Sequence, residues 1–365
     1  MCVLAYAKPG ETGIFDIEYT SHPYGENISQ IGELLEESGC LIGFNLKYEL
    51  NWLRRYGLQY RKRLWCCQVF EFLYSGQFPA YPSLEDTCRK YELGEKHTDI
   101  ESLWAQGVDT PNVPWDILRD RVSSDVRLTK ALYELQLIQY QKMSRDWQNL
   151  FRLEMMDLPA LAEMEWNGQL YDVEQSQQLS EDTKKKIADL SARLNKLCPY
   201  GPINWNSTYH RSAVLYGGVI SWQEYKEDGV FKTGTKAGQP KLRKVNVDYT
   251  FPRLVDPLPN SELEEEGYWS TDEGTIRQLK TSKKAKEIIE CLLLRQELEK
   301  LNSTYYDGLV GRIQEMEWAD AIIHGQFNQV VAVTGRLSSS RPNLQNQLEE
   351  SKKLFVSRYD RTSGL

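Results

Sequence analysis

Residues 331 to 347, VAVTGRLSSSRPNLQNQ, set Thr334, Arg336, Ser338, Asn343, Gln345 and Asn346 among small side chains. A glycine and several serines let another backbone come close, and hydroxyl and amide groups supply donors and acceptors without bulk. The Arg336 guanidinium is a planar fork suited to a phosphate or to minor-groove acceptors, while Asn343, Gln345 and Asn346 can both donate and accept. Such a combination suits the backbone or minor groove of a nucleic acid, and it equally suits a polar loop with capping serines. Lys283, Lys284 and Lys286 could add phosphate contacts, but a solvated helix face accounts for them more simply. Cysteine offers no metal chemistry: the seven cysteines form no CxxC and no Cys/His cluster, and fit reduced thiols.

These residues need a scaffold, and a 365-residue chain with a 41% hydrophobic share is long enough for two cores. The net charge of −8 excludes a uniformly basic nucleic-acid binder while leaving room for a local basic groove. No apolar run approaches the roughly 18 residues of a membrane span, and MCVLAYAKPGETG lacks the basic start of a signal peptide, so no membrane partner and a cytoplasmic location are expected.

Residues 1–150 alternate short strands and helices, an α/β pattern. MCVLAYA and TGIFDIEY predict strands around the Pro9–Gly10 turn, ISQIGELLEES a helix with Ile28, Ile31, Leu34 and Leu35 on one face, and CLIGFN a buried strand. YELNWLRRYG, WCCQVFEFLYSG, SLEDTCRKYEL and SSDVRLTKALYELQLIQYQKMS predict helices. From 151 the helices lengthen: FRLEMMDLPALAEMEWNG stops at Asn167–Gly168, and SEDTKKKIADLSARLNKLCP stops at Pro199. Residues 218–270 form a polar insert in which Val245, Val247 and Tyr249 alternate, predicting a solvated hairpin; Glu264 to Glu266 predict a solvated loop. TSKKAKEIIECLLLRQELEKLNSTYYDGLVGRI predicts a long helical pair.

TGRLSSSRPNLQN resembles the TGRLSS-x-x-PNLQN signature of family A DNA polymerases. ALAEMEWNGQLYDVE resembles the opening of that family's polymerase domain, and INWNSTYHRSAVLY and RQELEKLNSTYYDGL resemble two segments of its thumb, all in the family's order. The resemblance implies template–primer DNA as partner, with Arg336 at the primer-terminal minor groove and Thr334, Ser338, Asn343, Gln345 and Asn346 along the template–primer backbone. Asn206, Ser207, Asn302, Ser303 and Thr304 should hold phosphates, contacts that position DNA without reading its sequence. Polymerisation further needs carboxylates that bind Mg²⁺, which the family carries in a D-Y-S-Q-x-E strand and an H-D-E turn. Neither occurs here, nor do the fingers.

Residues 1–150 likewise resemble the family's 3′–5′ exonuclease domain, which has an RNase H-like fold. IGFNLKYELNWLRRYGL is similar to its second motif, with Glu49 in place of the usual Asp, and SSDVRLTKALYELQ to its third, which keeps Asp125. Glu49 and Asp125 are therefore the candidate catalytic and metal-binding residues, although a carboxylate one methylene longer suits a two-metal site poorly. Arg121 stands where the family has Tyr; a salt-bridged surface arginine is the simplest account of it. Asp16-Ile17-Glu18 imitates the first motif, D-x-E, but follows the wrong strand order, so it is taken as a decoy.

The expected architecture is an α/β exonuclease-like domain over 1–150, truncated at its first strand, followed over 151–365 by a mainly α-helical thumb and partial palm with the insert at 218–270. The expected role is a DNA-binding subunit of a split DNA-directed DNA polymerase in a bacterial or phage-infected cell. A separate palm/fingers chain should complete it, and an upstream chain could supply the first exonuclease strand. A stand-alone exonuclease and a non-catalytic remnant are the alternatives.

Overall fold

Gly and Pro punctuation sets most element ends. The computed structural model describes residues 5–9, 15–19, 28–95, 99–230, 232–233, 235 and 238–359, with backbone alone for 5–9, 15–19, 28–30 and 99. By packing, the chain divides into two compact units, one of residues 1–170 with 322–347 and one of residues 171–321 with 348–365.

In the first unit, β1 (Ala5–Pro9) and β2 (Phe15–Tyr19) pair antiparallel, Ala5 opposite Tyr19. Helix α1 (Ile28–Glu37) leads to β3 (Cys40–Gly43), then α2 (Leu46–Arg55) and β4 (Arg63–Cys66), which pairs parallel to β3 with Cys40 opposite Arg63. Among the described residues no ladder joins these two pairs. Short helices follow, α3 (Cys67–Tyr74), α4 (Leu84–Lys90) and α5 (Asp99–Ala105), and then the long α6 (Trp115–Lys142) and α7 (Arg145–Asn167). The helix expected over WCCQVFEFLYSG thus begins two residues late. Trp65 and Cys66 belong to β4, because a continuous apolar run carries no period to separate a buried strand from the helix after it.

The core of this unit is built around Trp65, whose ring centroid lies 4.8 to 5.4 Å from those of Phe70, Tyr133, Tyr140 and Phe151. Fully buried Gln136 accepts from Trp65 Nε1 at 3.1 Å and donates to the Cys67 carbonyl at 3.0 Å. Phe151, Met155, Leu158 and Ala162 of α7 join the same core, as does Val330. That shared burial keeps α7 with the N-terminal elements, whereas the sequence places a domain boundary at 150.

The second unit runs from α8 (Val173–Leu197) through α9 (Thr208–Tyr216) into a hairpin, β6 (Gly218–Val230) and β7 (Pro240–Phe251). The hairpin is solvated as its alternation predicts: Val245, Val247 and Tyr249 are half-buried between exposed neighbours, and only its base, Ile220 and Phe251, enters the core. Glu264 to Glu266 are exposed. After α10 (Glu273–Ile276), α11 (Lys283–Lys300) passes through a π-helical segment, Leu301–Tyr306, directly into α12 (Asp307–Glu315). The expected helix pair is one continuous run, since Leu301 and Asp307 keep right-handed helical dihedrals. Hydroxyls from β5 and α8 bond the displaced carbonyls: Tyr171 Oη donates to Tyr305 O at 3.0 Å, and Ser176 Oγ to Tyr306 O at 3.2 Å. A Cβ on Gly308 would sit 2.3 Å from the Ser303 carbonyl oxygen, so the wide turn requires glycine there.

Short elements complete the chain: β5 (Gln169–Tyr171), β8 (Ile322–Ile323), β9 (Gln326–Asn328), β10 (Ser338–Ser340), α13 (Glu349–Lys352) and β11 (Phe355–Val356). Gly168, at φ +58° after α7, brings β5 against β8, and a Cβ there would lie 2.6 Å from the Ile323 carbonyl oxygen. No described helix is long and apolar enough to cross a membrane.

Candidate nucleic-acid interface

Within the first unit, β9 and β10 pair antiparallel, Ser338 opposite Asn328, and hold out the loop between them. A turn closed by Gly335 N donating to Ala332 O at 2.9 Å exposes Thr334 and Arg336, with Ser338 half-buried at the strand start. The Arg336 guanidinium makes no hydrogen bond or ion pair with any described residue, so its whole fork faces outward. Beyond β10 the chain folds on two side chains. Ser339 Oγ accepts from Leu344 N at 3.0 Å, and Asn343 Oδ1 accepts from Gln345 N at 3.0 Å and Asn346 N at 3.1 Å. Asn343, Gln345 and Asn346 are exposed. The turn leaves these side chains exposed, with Asn343 Oδ1 engaged in holding it.

The ladder carrying this loop is fastened by Glu165, a residue that sequence reasoning missed as a functional element. Its buried carboxylate accepts from Phe327 N at 2.6 Å, Lys47 Nζ at 2.5 Å and Asn51 Nδ2 at 3.2 Å, while Lys47 Nζ also donates to the Phe327 carbonyl. Strand β9 is thereby tied to α2 and α7 through one charged hub. The partners lie more than a hundred residues from Glu165 in sequence, so no local pattern could pair them; only the Lys of NLKYE and the Glu of EWNG offered a signal.

In the second unit, Asn206 is exposed and Ser207 caps α9, its Oγ accepting from His210 N at 3.3 Å. Arg295, buried at 6% exposure, sets the Asn206 amide: its Nη2 donates to Asn206 Oδ1 at 2.8 Å, its Nε to Ser191 Oγ at 2.9 Å, and it pairs with Glu299 at 2.9 Å. With Oδ1 so held, the Asn206 amide nitrogen is the group left to face solvent. Ser303 and Thr304 are exposed on the π segment. Asn302 departs from the expectation that groups it with them: it is buried, and its Nδ2 donates to Asp307 at 3.0 Å, because the wide turn rotates it toward the helix interior. Lys283, Lys284 and Lys286 lie on an exposed helix face.

Glu49 and Asp125 are the described carboxylates of the exonuclease-like motifs. Among the described residues no three His, Cys, Asp or Glu side chains converge as metal ligands. Asp125 is paired at 3.4 Å with Arg121, which also reaches Glu101 at 3.3 Å. Arg121 is salt-bridged as expected but is buried rather than on the surface, so a fixed guanidinium already neutralises Asp125. Glu49 Oε2 is enclosed without a hydrogen-bond partner among the described residues, and burial pushes the carboxyl up to about 7. At neutral pH that carboxyl is about half protonated with no cation beside it. The side chains of Asp16 and Glu18 lie outside the described residues; their backbone belongs to β2.

Glu49 makes stability pH-dependent. Its folded value stands above the unfolded 4.5, so the folded protein holds a proton that the unfolded chain releases. Stability is therefore lost as pH rises from about 4.5 to 7, by up to about 3 kcal/mol. Chemical denaturation at pH 5 and pH 8 checks this: Glu49→Gln should shrink the wild-type difference, and an unchanged difference would show that Glu49 is not its source.

Residues 251–359 match the sequence model of DNA polymerase family A. The chain is 24% identical to DNA polymerase I of Bacillus subtilis over 278 residues, covering 75% of this chain and 26% of that protein. Against the thermostable DNA polymerase I of Thermus aquaticus the identity is 31% over 186 residues, 51% of this chain and 17% of that one. A solved structure, the POL domain of Pol1 from M. smegmatis in complex with DNA primer-template and dNTP, superposes with a TM-score of 0.61 at 19% identity, covering 96% of this chain and 53% of that chain. The chain is thus related to family A DNA polymerases, shares the fold of that domain, and spans about a quarter of the length of the first curated relatives it matches.

Proposed function

We propose that this relative of family A DNA polymerases grips template–primer duplex as the DNA-binding part of a DNA-directed DNA polymerase. In this account a separate palm/fingers chain supplies the Mg²⁺-binding carboxylates and the nucleotide site. The observation that carries the reading is the Arg336 loop: an unpaired guanidinium and the exposed Asn343–Gln345–Asn346 turn, held on a ladder that Glu165 fixes. Exposed Ser303 and Thr304, with the Asn206 amide aimed by Arg295, supply uncharged donors for phosphates. An exonuclease role is disfavoured by the Arg121–Asp125 pair, which sets a buried guanidinium against one of the two candidate carboxylates.

Among the described residues the β1–β2 and β3–β4 ladders are not hydrogen-bonded to one another, and an unpaired strand edge is a template for pairing by a strand from another chain. The test of the reading is equilibrium binding of the purified chain to a labelled primer–template, read by anisotropy. Binding should weaken as salt rises, and Arg336→Ala should weaken it by about tenfold, the worth of one charge-assisted contact. Equal binding by the variant sinks the assignment of Arg336. Primer extension restored by a co-purifying palm/fingers chain would support the split arrangement; extension by this chain alone would refute it.

A further inference from the structure

The β6–β7 hairpin has no part in the contacts above, yet it projects from the core. Past Trp222, eight more residues of β6 carry it roughly 25 Å into solvent at the usual strand rise. Residues 218–251 carry six cations, Lys226, Lys232, Lys236, Lys241, Arg243 and Lys244, against four acids, in a chain of net charge −8. The register shows how they are arranged. Lys226 lies directly opposite Arg243, and Lys241, two residues along β7, shares their face.

All three are exposed, and none forms an ion pair with a described residue. Toward the hairpin base on that face Glu224 is engaged by the Tyr249 hydroxyl, and toward the tip the exposed Asp228 sits in the bulge opposite Lys241 without an ion pair to it. Like charges directly opposite in a ladder are destabilising, so this face is costly unless a polyanion lies against it. The aromatics of that face, Trp222 and Tyr249, are half-buried against the core at the hairpin base, while the exposed Tyr225 points to the other face, where Lys244 covers its ring at 5.7 Å. Proteins that hold single strands interleave aromatics with cations, whereas cations alone track a backbone whose bases are already paired.

We propose that the distal hairpin face, Lys226, Lys241 and Arg243, is a second DNA contact that lies along the phosphate backbone of duplex DNA. This rests on the duplex-gripping reading above and adds phosphate contacts to it. Its test is anisotropy of a labelled duplex primer–template and a labelled single strand over a range of salt, for the unmodified chain and for Lys226→Ser/Lys241→Ser/Arg243→Ser.

The triple variant should bind duplex about tenfold more weakly, with a salt slope shallower by about 2 to 3, since each lost phosphate contact removes about 0.9. The charge-conserving set Lys226→Arg/Lys241→Arg/Arg243→Lys should keep the wild-type slope, which separates charge loss from misfolding. Unchanged duplex binding by the triple variant overturns the proposal, and points instead to an acidic protein surface as the hairpin's partner. A loss confined to the single strand overturns the duplex assignment. If the unmodified chain binds neither DNA, the gripping reading falls together with this one; if it binds and only the hairpin variant is silent, the hairpin alone is wrong.

Discussion

Replacing Glu165 with alanine is expected to cost about 3–5 kcal/mol of folding stability, the usual effect of stripping one partner from a buried charged hub. The Lys47 and Glu165 side chains are only 16% and 9% exposed, so the ammonium would stay behind without its counter-ion. The Phe327 amide would also lose its acceptor in a place that water does not reach. Because Phe327 lies opposite Ser339 in the β9–β10 ladder, the loss should reach the Arg336 loop. Glu165→Gln keeps an acceptor and should cost less than Glu165→Ala. Denaturant melts of the two variants, with proteolysis mapped at 330–347, check this; a melt unchanged in Glu165→Ala would remove Glu165 from its assigned role.

A comparable loss, about 2–4 kcal/mol, is expected from Arg295→Ala in the second unit. Burial lowers the Arg295 value below that of a free arginine, yet its guanidinium is held by Ser191, Asn206 and Glu299 at once. Removing it leaves the Glu299 carboxylate without its ion pair and lets the Asn206 amide turn freely. Arg295 is a positioning residue here, so its effect on DNA should exceed what instability explains. Measured well below the melting temperature, Arg295→Ala should still bind primer–template several-fold more weakly, and Arg295→Lys should restore part of the stability but not the fork that orients Asn206. Equal affinity of folded Arg295→Ala and the unmodified chain would leave Arg295 with a packing role alone.

What the sequence made legible was local. Val245, Val247 and Tyr249 announce the hairpin because a strand's period of two needs only one strand to show itself. The Asn167–Gly168 stop, the serine caps and the TGRLSS loop are short-range signals of the same kind. Three features were hidden for physical reasons. Trp65 and Cys66 sit in an apolar run without a break, so only the parallel ladder to β3 settles that they are strand. Asn302 cannot be told from Ser303 without the π turn, whose register depends on Gly308 and on hydroxyls from Tyr171 and Ser176. Glu165 and Lys47 each look like ordinary surface charges until a fold brings β9 against them. Arg121 was legible as a paired arginine, but not as a buried one, since burial is decided by helices distant in the chain.

The most direct test of the central claim is photocross-linking from a primer–template whose primer terminus carries a photoreactive base, followed by peptide mapping of the adduct. The account predicts adducts within residues 334–346, reduced in Arg336→Ala and competed by unlabelled duplex. Adducts confined to other residues, or none at DNA concentrations that saturate binding, would contradict it.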